Sequence, residues 1–293
     1  LFRENIASAD QLRTLCADLQ TLIRSETGHD AFIMIDQEGG AVTRLPESCI
    51  NVPGSMALAA TGDPETTYLA GKLTGEELRS LGVNFNLAPS VDVNCNPANP
   101  IIGVRSYGDT PATVAKYAAG MIRGLQDGGV LCLAKHFPGH GDTHVDSHHA
   151  LPTVDKSLAA LEALELRPFR ALASGYAGDL AAPAVMTAHI VYPQLDAEHP
   201  ATLSKTILGG VLRQNLGFGG VVITDALMMK AVFERYGYAR ASVLALQAGA
   251  DMPLAQGSRA EQAEVLDAIA AALVAGQLSL AEVQAAAARI ETL

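Results

Sequence analysis

Short apolar runs alternate with amphipathic stretches along the whole chain. Residues 31–36 (AFIMID), 84–93 (NFNLAPSVDV), 129–136 (GVLCLAKH), 183–191 (PAVMTAHIV), 220–225 (GVVITD) and 249–254 (GADMPL) are compact apolar runs, the pattern of strands covered on both faces. Helical stretches lie between them. SADQLRTLCADLQTLIRSET opens on Ser8 as an N-cap, DPETTYLAGKLTGEELRSLG closes on Gly82, and TPATVAKYAAGMIRGLQDGG carries Pro111 in its first turn. SLAALEALELRPFRALASG, SKTILGGVLRQNLG and ARASVLALQAG follow as further helices, then two alanine-rich ones. Strand and helix in alternation predict parallel strands joined by helical crossovers. Two architectures fit: a (β/α)8 TIM-type barrel whose first strand is truncated, or a doubly wound open sheet. No GxGxxG opens a helix, which removes the main sign of a dinucleotide site. With no repeat, low-complexity tract or Pro/Ser linker, residues 1–293 read as one domain.

The polar residues that end these runs are the first candidates for chemistry. Asp36, Lys135, His136, His189 and Asp225 each stand where an apolar run gives way to a loop. In a barrel those ends converge on one face, where active sites lie. An acid at a strand end often only caps the next helix, so Asp36 alone decides little. Five such residues on one expected rim are harder to explain that way.

Composition narrows the partners. Hydrophobic residues make up 49% of the 293 positions and charged residues 17%, enough to bury a large core and too few charges for long disordered tracts. A net charge of −11 argues against nucleic-acid or anionic-membrane surfaces, which need a basic face. No apolar run is long enough to span a membrane. Cys16, Cys49, Cys95 and Cys132 form no CxxC pair, so no zinc ribbon is indicated and a reducing compartment suits them. A cytoplasmic location is the expectation. Secretion or surface anchoring is the alternative, because the chain opens on LFRENIASADQL as if already leaving a strand. Oligomeric state is not legible.

Residues 135–149, KHFPGHGDTHVDSHH, hold five of the eight histidines. His136, His140, His144 and His148 are spaced by four, which on a helix would make a metal-binding stripe. Pro138, Gly139 and Gly141 make the segment a loop instead. Metal binding and a plain solvated loop stay open beside acid/base chemistry. For the last, DSH places Asp146 two residues from His148, and DTH places Asp142 two residues from His144. A carboxylate on one ring nitrogen fixes the tautomer and leaves the other nitrogen to move a proton near neutrality. Chemistry alone does not choose between the two.

These residues carry a resemblance. KHFPGHGDTHVDSHHALP, with DQEGGAVTRL (36–45), NPANPIIGVRSYG (96–108) and ITDALMM (223–229) in the same order, is similar to glycoside hydrolase family 3, in its branch of bacterial β-N-acetylglucosaminidases of cell-wall turnover. The resemblance implies a (β/α)8-type barrel and hydrolysis with retention. Asp225 matches the nucleophile, His148 the acid/base and Asp146 its orienting carboxylate, which favours DSH over DTH. Asp36, Arg44, Arg105, Lys135 and His136 match sugar-binding positions. The implied substrate is a small N-acetylglucosamine-containing glycan or muropeptide, with no cofactor and no metal. A phosphorylase on the same fold, which passes the sugar to phosphate, and a metal-dependent barrel hydrolase remain as alternatives. Two-domain members carry a further domain after the barrel, so the chain reads as a single-domain member or part of a larger one.

Overall fold

A computed structural model describes residues 1–145, 151–173 and 181–293. Its strands are β1 (Met34–Ile35), β2 (Phe85–Asn86), β3 (Leu131–Phe137), β4 (Ala184–Thr187), β5 (Val191–Tyr192), β6 (Asp196–Pro200) and β7 (Val221–Ile223). Five of them form one parallel sheet in the order β1-β2-β3-β4-β7, and Ile223 bridges in parallel to Met252. A doubly wound sheet reverses its strand order at a switch point. Strands that neighbour one another in chain order curl into a barrel, so the TIM-type barrel expectation holds and the open sheet is set aside. Among the described residues no ladder joins Met252 back to β1. Ile290, Leu293, Phe32 and Met34 pack against the barrel interior. The antiparallel ribbon of β5 and β6 was not legible in the sequence.

Alternation along each strand divides the apolar residues into two cores. Phe85, Leu87, Leu133, Ala184, Met186, Val221 and Ile223 fill the barrel interior. Their neighbours Ile35, Cys132, Ala134, Val185 and Val222 point outward into the larger core beneath the helices. That both faces are buried explains why the runs read as continuously apolar. Each fully buried Leu, Ile or Phe stabilises the fold by roughly 1.5–3 kcal/mol.

The outer layer contains α1 (Ala9–Thr27), α2 (Ser55–Ala59), α3 (Pro64–Ser80), α4 (Pro111–Asp127), α5 (Leu158–Ala163), α6 (Leu166–Ala173), a π-type helix at Thr206–Asn215, α7 (Lys230–Tyr236), α8 (Tyr238–Ala248), α9 (Arg259–Val274) and α10 (Leu280–Glu291). The Ser8 hydroxyl accepts the Gln11 N–H at 3.1 Å as the expected N-cap. The stretch from Ser157, read as one helix, breaks at Leu164 (φ −132°, ψ −80°). Pro168 is the cause: it has no N–H for the Leu164 carbonyl, and its ring would collide with that carbonyl in a continuous helix. Helices α3 and α4 touch through glycines. A Cβ on Gly124 would lie 2.2 Å from the Tyr68 carbonyl, and one on Gly75 would lie 2.8 Å from that of Leu125.

Candidate active site

The alternation that fills the barrel also builds the site. One step of two beyond Met34, Leu133 and Ile223 come Asp36, Lys135 and Asp225, the next residues on the inward face at the C-terminal ends of β1, β3 and β7. They line a cavity of about 260 Å³ with Glu38, Arg44, Arg105, His136 and His140. Its floor is Met34, Leu87 and Met186, the top of the interior core. Six of the eight residues expected in the site therefore come together: Asp36, Arg44, Arg105, Lys135, His136 and Asp225. The other two, Asp146 and His148, lie outside the described residues.

His189 is the exception among the strand-end residues. It is buried behind the cavity, with Nδ1 2.8 Å from the Thr202 hydroxyl and Nε2 3.0 Å from the Ala226 carbonyl. Its role there is to brace the backbone next to Asp225.

The cavity wall is a network of buried charge. The Lys135 ammonium, only 2% exposed, donates to Asp36 Oδ1 at 2.8 Å and to Glu38 Oε1 at 2.7 Å. Arg105 grips Glu38 with two donors, Nε to Oε2 at 2.9 Å and Nη2 to Oε1 at 2.8 Å. Arg44 lies 3.9 Å from Asp36. Burial alone would raise the Glu38 carboxyl, but Lys135 and Arg105 hold it well below the usual carboxylate range. Burial likewise opposes the charge on Lys135, yet Asp36 and Glu38 hold its pKa above the ordinary lysine value.

A second network fixes the histidines. Asp92 is buried in the run 84–93, and its carboxylate stands 2.7 Å from His136 Nδ1 while accepting the His140 N–H at 2.6 Å and the Ser90 hydroxyl at 3.0 Å. His140 Nδ1 lies 2.8 Å from the Thr143 hydroxyl, which donates to the His140 carbonyl. That hydroxyl has one hydrogen, so Nδ1 is assigned as the protonated nitrogen. Burial, reinforced by neighbouring His136, lowers His140 to about 4 and keeps it neutral. Asn99 ties the loop down by donating to the His140 carbonyl and to Thr143.

Asp225 is half-buried. Its Oδ1 accepts the Ala226 N–H at 2.7 Å, and Oδ2 has no partner among the described residues. Burial would raise its pKa, but His189, His136, the Ala226 amide and Lys135 together hold it below the ordinary value. It is an ionised carboxylate with one oxygen unspent among the described residues.

Glu38 and Asp92 were missed in the sequence, and His140 was noted there only as part of a possible metal stripe. Each lies inside a stretch already singled out, but none ends an apolar run. Outside the cavity, Cys95, Asp142 and Glu165 bring possible metal-ligand atoms within 4.8 Å of one another. Lys156 already bonds Glu165 and, at 2.7 Å, Asp142, so an ammonium occupies that cluster's centre.

Fold and site together define a barrel with a small, charge-lined, strand-end pocket suited to a polyhydroxylated ligand. The chain matches the glycosyl hydrolase family 3 N terminal domain over residues 1–293 and belongs to that family. It is 40% identical to beta-hexosaminidase A of Pseudoalteromonas piscicida over 281 residues, covering 89% of this chain and 46% of that protein. It is 34% identical to a beta-hexosaminidase of Idiomarina loihiensis, covering 92% of this chain and 78% of that one. Among solved structures, a family 3 beta-N-acetylglucosaminidase from Paenibacillus superposes with a TM-score of 0.94 at 46% identity. The match covers all of this chain and 55% of that one. The chain thus spans about half the length of some of its relatives.

Proposed function

We propose that the protein is a retaining exo-β-N-acetylglucosaminidase that removes terminal N-acetylglucosamine from peptidoglycan-derived or chitin-type fragments. The observation that carries this reading is Asp225: an ionised carboxylate with one oxygen unpartnered among the described residues, at the mouth of a cavity lined by Lys135, Arg44 and Arg105. In this reading Asp225 attacks the anomeric carbon while His148, oriented by Asp146, protonates the leaving oxygen. Water, deprotonated by the same histidine, then cleaves the glycosyl-aspartate. Most retaining glycosidases use a second carboxylic acid as the proton donor. Of the cavity carboxyl groups, Glu38 is held ionised by two cations and Asp36 is engaged by Lys135. This favours a histidine, whose ordinary pKa of ~6.5 already suits the work. A cavity of about 260 Å³ is small among ligand pockets and fits one tightly held sugar. A cytoplasmic place remains the expectation, one that suits the free cysteines.

The test is release of p-nitrophenol from its β-N-acetylglucosaminide, with and without phosphate and EDTA, beside Asp225→Ala. Turnover lost in the variant and indifferent to both additives is expected. Strong phosphate stimulation would move the protein to the phosphorylases, and loss in EDTA to the metal-dependent hydrolases. Turnover of a β-glucoside alone would overturn the substrate class.

A further inference from the structure

We propose that Glu38 is the positioning residue of the sugar-binding end, holding the Lys135 ammonium and the Arg105 guanidinium aimed at one bound sugar. The inference rests on the glycosidase reading for its kinetic readout only. Both Glu38 oxygens are spent, on Lys135 Nζ and on Arg105 Nε and Nη2. Held ionised by two cations, it has no proton to give, and each of its oxygens is already engaged by a cation. What it does is fix its partners. An ammonium has three N–H donors and a guanidinium five. Lys135 uses two, on Asp36 and Glu38. Arg105 spends two on Glu38 and one, at 3.4 Å, on the Ile101 carbonyl, while Nη2 also lies 3.5 Å from His136 Nε2. Among the described residues each cation keeps a donor over, and both line the cavity.

Glu38 also keeps Lys135 charged. That lysine is almost wholly buried, and burial favours its neutral form. The charged and titratable groups around it are Asp36 and Glu38 from the turn after β1, Arg105 from the turn before α4, its neighbour His136, and Asp225 after β7, with Arg44 acting through Asp36. Arg105 opposes the lysine's charge. Without Glu38, partly exposed Asp36 would be the one carboxylate still bonded to Lys135, and Lys135 would lose its proton at lower pH.

Glu38→Gln keeps the shape and removes the charge. At pH 7 its KM for the aryl N-acetylglucosaminide is expected to rise about tenfold, with kcat changed far less. Between pH 7 and 9.5 its 1/KM is expected to fall further while the parent's stays flat. Glu38→Asp, shorter but charged, restores the flat profile. Unfolding temperature gives a readout free of turnover. A lysine whose native pKa drops below its unfolded value binds more protons unfolded, so the variant gains stability as pH rises and its deficit against the parent narrows. An unchanged KM in Glu38→Gln overturns the proposal. So does a deficit equal at all pH with kcat and KM falling together, since that is a merely structural role. If the parent fails to cleave N-acetylglucosaminides, the glycosidase reading fails, and the unfolding series still decides Glu38.

Discussion

Two ends of the barrel hold the same chemical unit, a buried carboxylate between two cations. At the C-terminal end Glu38 lies between Lys135 and Arg105. At the opposite end Asp251 lies between Arg213, at 2.6 Å, and Arg289, which donates Nε and Nη2 at 2.9 and 2.6 Å. The two differ in where the remaining hydrogen-bonding capacity goes. Asp251 also accepts the Val222 N–H at 2.8 Å, and Arg213 gives its other amino group to the carbonyls of Phe218 and Gly220. That cluster ties β7, the strand position at Met252, α10 and the π-type helix together. Around Glu38 the cations line the cavity that also holds Asp36 and Asp225. What separates them is the kind of partner: Asp251 and Arg213 bond main-chain groups of the segments they join, whereas the Glu38 carboxylate bonds only the side chains of Lys135 and Arg105.

The sharpest way to break this comparison is to disable one end and ask whether the other notices. Asp225→Asn is expected to cut kcat by roughly 10⁴-fold or more while the urea unfolding transition stays cooperative. Asp251→Ala should do the reverse. It strands two arginines and the Val222 amide, so about 3–5 kcal/mol of stability is expected to vanish in urea unfolding, with KM of the folded fraction unchanged. A raised KM there would mean the two ends are coupled.

A pH series sharpens the picture of the upper end. His140 is held neutral to about 4 in the fold, whereas an unfolded histidine takes a proton near ~6.5. The unfolded chain binds more protons between those values, so stability is lost as pH falls through that window, by about 3 kcal/mol in all. His140→Asn should flatten the slope of unfolding free energy between pH 6.5 and 4.5, and an unaltered slope would show that other groups carry it. The smallest effect is expected at Lys205, paired with Glu282 at 3.8 Å where both are well exposed. Lys205→Ala should change stability by less than about 0.5 kcal/mol, which checks that only buried pairs count.

Much of this was legible in the chain because period-two alternation carries through the strand ends. Whatever puts Met34, Leu133 and Ile223 inside the barrel puts Asp36, Lys135 and Asp225 at its mouth. Arg44 and Arg105 were placed by motif resemblance and not by pattern, since Arg44 lies in a loop and Arg105 ends a single 3-10 turn, Gly103–Arg105. Glu38 was hidden because DQEGG reads as a turn, and Gly39 (φ 90°) and Gly40 (φ 55°) do make one. Asp92 sits among valines, where nothing local distinguishes a buried partner for His136, 44 residues further on, from a strand-end acid. His189 passed the strand-end test and failed in three dimensions because Thr202, from beyond the β5–β6 ribbon, claims its ring. Asp146 and His148 rest on the motif alone.

The glycine seam between α3 and α4 has a consequence for the order in which amides exchange with solvent. With carbonyls of one helix against the Cα atoms of the other, neither helix can fray or slide without the other losing its seat. Such a pair behaves as one cooperative unit. In deuterium the core amides of both helices should exchange at one common, slow rate, set by global unfolding, whereas those at the exposed end of α9, around Val274, should exchange far sooner. The strands that the pair covers, β2 and β3, would then be the last part of the rim that presents Lys135 and His136 to open.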